Sequence, residues 1–150
     1  MKDHLKWMGG MHFECDMRGF KIQMDTAHEM GGTNLGPTPK ELLMHAMAGC
    51  TAMDVVSILK KMHQDLQTLE MNVEVDKNKT HPIHFVKAKL TYILKGNLDT
   101  EKAKQAVEHS LTKYCGVNYM ISKICKISYV VNVNGEDTAT GFASFIDPQD

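Results

Sequence analysis

Arginine is nearly absent from this chain: among 17 lysines and arginines, Arg18 is the single arginine. Bidentate clamps on phosphate or carboxylate groups are therefore almost excluded. Net charge is also lacking, at −1 formally at pH 7, so no long-range field draws the chain toward nucleic acid or an anionic membrane. No apolar run long enough to span a bilayer is free of charge, because Asp54 interrupts the longest candidate. The opening MKDHLKWM lacks the apolar core of a secretory signal. These absences lead us to expect a cytoplasmic protein with neither nucleic acid nor membrane as a partner.

Metal motifs are missing as well. Eight histidines and four cysteines are present, but there is no Cys-x-x-Cys and no His-Glu-x-x-His. His81 and His84 stand three apart across a turn, a weak signal on its own. Neither a metal nor a cofactor is expected. The glycine-rich stretch 28–36 (HEMGGTNLG) lacks phosphate-loop spacing and no Gly-Lys-Ser/Thr follows it, so it reads as a connector. Cys15, Cys50, Cys115 and Cys125 are too widely spaced for a disulfide scaffold, and a cytosol keeps thiols reduced.

What remains is ordinary globular material, 43% apolar and 23% charged. At 150 residues the chain fits one domain, residues 1–150, able to bury about 70% of its unfolded surface. Twelve methionines read as flexible core filler, with an adaptable apolar pocket or interface as the sharper reading.

Residues 5–15 and 20–25 are expected to form two strands joined by turn chemistry at Asp16, Met17, Arg18 and Gly19. Thr38, Pro39 and Glu41 mark a helix start: a cap, a first-turn proline and the far end of a capping box. The helix is expected to run to about His63. Between Leu42 and Leu59 only His45, Thr51, Asp54 and Ser57 are polar, so burial all round, in a core or in a subunit interface, is expected. Residues 70–76 and 85–94 read as antiparallel strands around a turn at 79–82. Asp99 caps a second helix that ends near Cys115 and Gly116; a short helical turn through Ile121 and a strand over 126–133 follow. The tail from Gly135 is polar and weakly patterned. Hairpin strands with separated helices imply an α+β fold with antiparallel sheets.

The chemistry turns on Cys50, which lies about three turns inside the apolar helix and is either a small core residue or a sheltered reactive thiol. His45, five residues earlier, points to a different face. Burial would raise the Cys50 thiol pKa, and so would Asp54 one turn away if the two approach. Local sequence alone therefore makes Cys50 look inert. Cys115 sits at a helix junction, where backbone N–H groups would stabilise its thiolate. Cys15 and Cys125 read as structural.

The run from Gly36 through Pro37, Pro39, Glu41 and Leu42 to Ala48, Gly49, Cys50, Thr51, Asp54 and Val56, with Cys115 followed by Gly116 and Val117, resembles the OsmC/Ohr family. That family comprises osmotically inducible protein C and organic hydroperoxide resistance protein, which are thiol peroxidases. The GCTAMDVV run at 49–56 is most similar to the OsmC-like branch. The resemblance implies an intertwined homodimer around a long buried central helix, with Cys50 and Cys115 brought together. It implies an organic hydroperoxide as substrate, with Cys50 peroxidatic and Cys115 resolving, and a dithiol such as a lipoylated protein as reductant. Studied members use a glutamate directly after the motif proline and an arginine from the N-terminal region. Here Lys40 follows Pro39, and the matching candidates are Glu41, one residue later, and Arg18. The alternative is a non-peroxidase member that binds a small apolar or electrophilic ligand, or a thiol redox sensor.

Overall fold

The structure, a computed structural model, describes residues 2–147 and is α+β, in two compact units: one built from the chain up to Met44, the other from His45 onward.

The first unit is a three-stranded antiparallel sheet of β1 (Leu5–Gly9), β2 (His12–Met17) and β3 (Phe20–Met24) in that order. The single strand expected over 5–15 is in fact two. Gly9 and Gly10 take φ of +111° and +55°, a conformation glycine adopts without a Cβ penalty, and they fold the chain back on itself. The turn between β2 and β3 lies where its residues place it. Asp16 Oδ1 accepts from the Gly19 N–H at 2.7 Å, and Arg18 and Gly19 both have positive φ. The connector at 25–36 is ordered around Asp25, a buried carboxylate. It accepts from Thr33 Oγ1 (2.7 Å) and from the backbone N–H groups of Thr26, Thr33 and Leu35. Those bonds to the charged form hold its pKa well below the usual carboxylate range.

Helix α1 (Pro39–Lys61) starts on the expected capping box. Thr38 Oγ1 accepts from the Glu41 N–H at 3.4 Å, and Glu41 Oε2 accepts from the Thr38 N–H at 2.7 Å. Within the protomer the helix is buried along one side. Met47, Ala48, Thr51, Val55 and Leu59 form the buried stripe, whereas Met53 and Val56 stand 72% and 45% exposed.

The second unit carries a four-stranded sheet in the order β4 (Asp65–Lys77), β5 (Phe85–Asn97), β6 (Lys126–Val133), β7 (Glu136–Phe142). The β4/β5 pair is antiparallel, as expected, but β5 and β6 run parallel, so the sheet is mixed. The crossover a parallel pair needs is supplied by α2 (Thr100–His109), a wide π turn (Ser110–Tyr114) and α3 (Gly116–Ser122). Asp99 caps α2 by accepting from the Lys102 N–H at 2.9 Å. Strand β7 falls in the tail that reads as unpatterned. Asn134 and Gly135 both take positive φ in the tight turn that returns it against β6. The core is the buried face of β5 and β6 (Leu90, Tyr92, Leu94, Ile127, Val131) with Ala103, Ala106, Val107 and Leu111 of the helical crossover.

Candidate active site

Cys50 and Asp54 are four residues apart on α1, so helical periodicity places them one above the other on a half-buried face. Cys115 arrives from the crossover. Its N–H closes the π turn on the Ser110 carbonyl at 2.9 Å, and its own carbonyl starts α3 by accepting from the Tyr119 N–H at 2.9 Å. Pinned at both ends, the Cys115 side chain is fully buried. One sulfur from each cysteine and a carboxylate oxygen of Asp54 lie within 4.8 Å of one another, and both cysteines are free thiols.

Around this trio runs a chain of hydroxyls. Ser110 Oγ donates to Asp54 Oδ2 at 2.9 Å; Thr51 Oγ1 lies 2.7 Å from Ser110 Oγ and 2.7 Å from Tyr92 Oη. Each hydroxyl has one proton to give. With Ser110 giving its proton to the carboxylate, Thr51 must donate to Ser110 and Tyr92 to Thr51. Every proton in the chain therefore points toward Asp54. Burial pushes the Tyr92 hydroxyl pKa above its ordinary value, so it remains a donor.

Asn118 completes the surround. Its Nδ2 donates to Cys115 Sγ at 3.2 Å and to the Met47 carbonyl at 3.0 Å, tying α3 to α1 beside the sulfur. The backbone stabilisation expected for a Cys115 thiolate is outweighed. Burial, reinforced by the hydrogen bond with Cys50, pushes the Cys115 thiol up to about 12, while the Asn118 contacts only partly oppose this. Cys115 is therefore a protonated thiol at rest. Asp54 faces a cavity of about 290 Å³ lined also by Ser57, Ile58, Lys61, Met62, His109 and Tyr114.

The other residues singled out from sequence lie as follows. Glu41 is engaged at the α1 cap, and Arg18 is exposed in the β2/β3 turn. Cys15 and Cys125 are buried in other parts of the chain; Cys15 Sγ lies 3.8 Å from the Ile22 carbonyl, and burial raises the Cys125 thiol. Sequence reasoning missed Ser110, Tyr92 and Asn118, whose partners come from distant segments. One signal was available: Thr51 and Asp54 are polar positions three apart in a helix that is otherwise apolar there.

Comparison with known proteins yields a consistent set. The family model described as OsmC-like protein matches residues 32–130. Protein YhfA of Escherichia coli (strain K12) is 32% identical over 135 residues, covering 89% of this chain and 98% of the relative. Among solved structures, a hypothetical protein from Aquifex aeolicus VF5 superposes with a TM-score of 0.80 at 24% identity, covering 91% of this chain and 97% of the other. An organic hydroperoxide resistance protein OsmC from Legionella pneumophila superposes with a TM-score of 0.68 at 20% identity, covering 89% and 98%. At those identities the two structures speak for the fold.

Proposed function

The chain belongs to the OsmC-like family, and from that premise we propose that it is a thiol-dependent hydroperoxide reductase whose reacting pair is Cys50 and Cys115. The observation that carries this reading is the approach of the two free thiols, one half-buried and one fully buried, beside a carboxylate. Cys50 is the less buried residue of the two, and we assign it the attack on the peroxide. Cys50 thiolate attacks the outer oxygen of R–O–OH, the O–O bond breaks, and the alkoxide leaves with a proton as alcohol, while sulfur is oxidised to sulfenic acid. Cys115 then attacks the Cys50 sulfur; an S–S bond forms and water departs. A dithiol reductant such as a lipoylated protein returns the pair to thiols by exchange, itself becoming a disulfide.

The hydroxyl chain suits this sequence of steps. Asp54 can take the Cys50 proton, and it can take the Cys115 proton when the resolving thiol attacks, with Ser110 holding its carboxylate in place. The apolar stripe of α1 favours organic over small polar peroxides. Arg18 and Glu41 are the candidates for assisting the thiolate, as their counterparts do in the resembling peroxidases. The working unit we propose is a cytoplasmic homodimer of a single-domain chain, and the exposed apolar Met53 and Val56 beside Leu66 and Leu69 support it.

Glu41 engaged at a helix cap and Arg18 in an exposed turn favour a second reading, a family member that binds an electrophilic ligand or senses oxidants without turnover. Steady-state assay with cumene hydroperoxide and dihydrolipoate separates the two. Sustained consumption that is lost in Cys50→Ser supports the reductase; disulfide formation without turnover supports the sensor.

A further inference from the structure

The carboxylate that serves the redox pair as a proton acceptor also lies within the same 4.8 Å as both sulfurs, so three potential metal ligands converge here. We propose that Cys50, Asp54 and Cys115 form a binding site for one zinc-class divalent cation, with a fourth position left open. Two thiolates and one carboxylate suit zinc among the common divalent ions, since magnesium and calcium take oxygen ligands and avoid sulfur. A tetrahedral zinc with Zn–S bonds of about 2.3 Å would hold its sulfurs about 3.8 Å apart, inside the limit the three ligand atoms already satisfy.

Ligating groups are normally oriented by partners one shell out, and two of the three have such a partner. Ser110 Oγ fixes the Asp54 carboxylate at 2.9 Å, backed by Thr51 and Tyr92, and Asn118 Nδ2 donates to Cys115 Sγ at 3.2 Å. An N–H donated to sulfur stabilises a metal-bound thiolate. Asp54 opens onto the cavity of about 290 Å³ beside Ser57 and Tyr114, which gives an ion an approach from the carboxylate side. The helix supplies Cys50 and Asp54 four apart and the crossover supplies Cys115, so no two-cysteine sequence motif announces the site.

The balance is simple. Binding exchanges the two thiol protons for Zn²⁺, giving a bis-thiolate carboxylate complex, with no change in oxidation state. Bound metal ties up both sulfur nucleophiles, so zinc and peroxide compete for the same atoms. Oxidation of the pair by peroxide would in turn release the ion.

The test uses the full-length reduced protein with Co²⁺ and Zn²⁺ as probes. We expect one Co²⁺ per chain with a thiolate-to-cobalt charge-transfer band and the intense visible bands of tetrahedral cobalt. Zn²⁺ should displace the cobalt. In the wild type, which needs no variant to fold, stoichiometric Zn²⁺ should protect Cys50 and Cys115 from alkylation, mapped by peptide mass, and a chelator should restore their reactivity. Cys50→Ser should abolish the charge-transfer band or reduce it strongly, and Asp54→Asn should weaken Zn²⁺ binding at least tenfold. Absence of the band in reduced wild type, or alkylation of both cysteines undiminished by Zn²⁺, overturns the proposal. Neither readout depends on peroxide turnover, so failure here leaves the reductase standing, and a protein without turnover can still bind the ion.

Discussion

The Thr51 hydroxyl lies 2.7 Å from the Tyr92 hydroxyl at a point where both side chains are fully buried. A helix and a strand far apart in sequence thus meet through a polar contact, and that contact is one link in the chain that ends on Asp54. Replacing Thr51 by valine keeps the shape and leaves the hydroxyls of Tyr92 and Ser110 each short of a partner. The expected loss is about 1–3 kcal/mol in urea unfolding. Tyr92→Phe should lose less, about 1 kcal/mol, since it removes a donor and strands no deeper group. The double variant should fall short of the sum, because the two residues share one interaction.

Asn118→Ala removes the side-chain donor to Cys115 Sγ and the tie to the Met47 carbonyl. It should destabilise the protein by about 1–3 kcal/mol. It should also slow closure of the Cys50–Cys115 disulfide after a peroxide pulse, measured by rapid quench and alkylation. Slower closure with an unchanged rate of sulfenic acid formation would place Asn118 on the resolving thiol.

Acid sensitivity centres on Asp25. Its carboxyl accepts from Thr33 Oγ1 and three backbone N–H groups, and its folded pKa is depressed below the ordinary carboxylate range. The unfolded chain titrates near pH 3.9. A depressed folded value means the stabilisation is whole above that point and is lost as pH falls through it toward the folded pKa. Asp25→Asn should therefore be less stable than wild type at neutral pH. The difference should narrow as pH is lowered below about 4, as followed by denaturant midpoints at each pH.

Gly141 faces the ring of Tyr129. A Cβ there would sit 2.5 Å from Tyr129 Oη and 2.6 Å from Cζ, and that hydroxyl donates to Glu108 Oε1 at 3.0 Å. Gly141→Ala should displace the ring and cost about 1–3 kcal/mol. Restoration of most of this stability by the additional change Tyr129→Phe would trace part of the cost to the hydroxyl.

Much of this fold could be read along the chain because its signals are local. Thr38 with Glu41 and Asp99 before α2 cap as their side chains dictate, and β6 keeps its alternation. The readings that failed needed something beyond the local pattern. Gly9 and Gly10 split a strand through backbone freedom. Strand β7 is polar because it lies at the edge of the sheet, where little is buried. The apolar run of α1 reads as buried in a core or in a subunit interface, and in the protomer one stripe of it is buried while the other side stands open. In the site, Cys50 and Cys115 were legible through a family resemblance and not through spacing. Asp54 and Thr51 were visible as polar interruptions of a helix, but their partners Ser110 and Tyr92 are set by tertiary packing.

The central claim is that Cys50 and Cys115 act on a peroxide as a pair, and one experiment addresses it most directly. Reduced protein, kept free of metal, is given one equivalent of cumene hydroperoxide, quenched with an alkylating reagent and mapped by peptide mass. We predict that the two thiols of Cys50 and Cys115 are lost together as a linked pair, with Cys15 and Cys125 still alkylated after unfolding. In Cys115→Ser, the product should be a Cys50 sulfenic acid that a dimedone-type reagent traps. Recovery of Cys50 and Cys115 as unmodified thiols, or oxidation spread without preference over all four cysteines, would contradict the account.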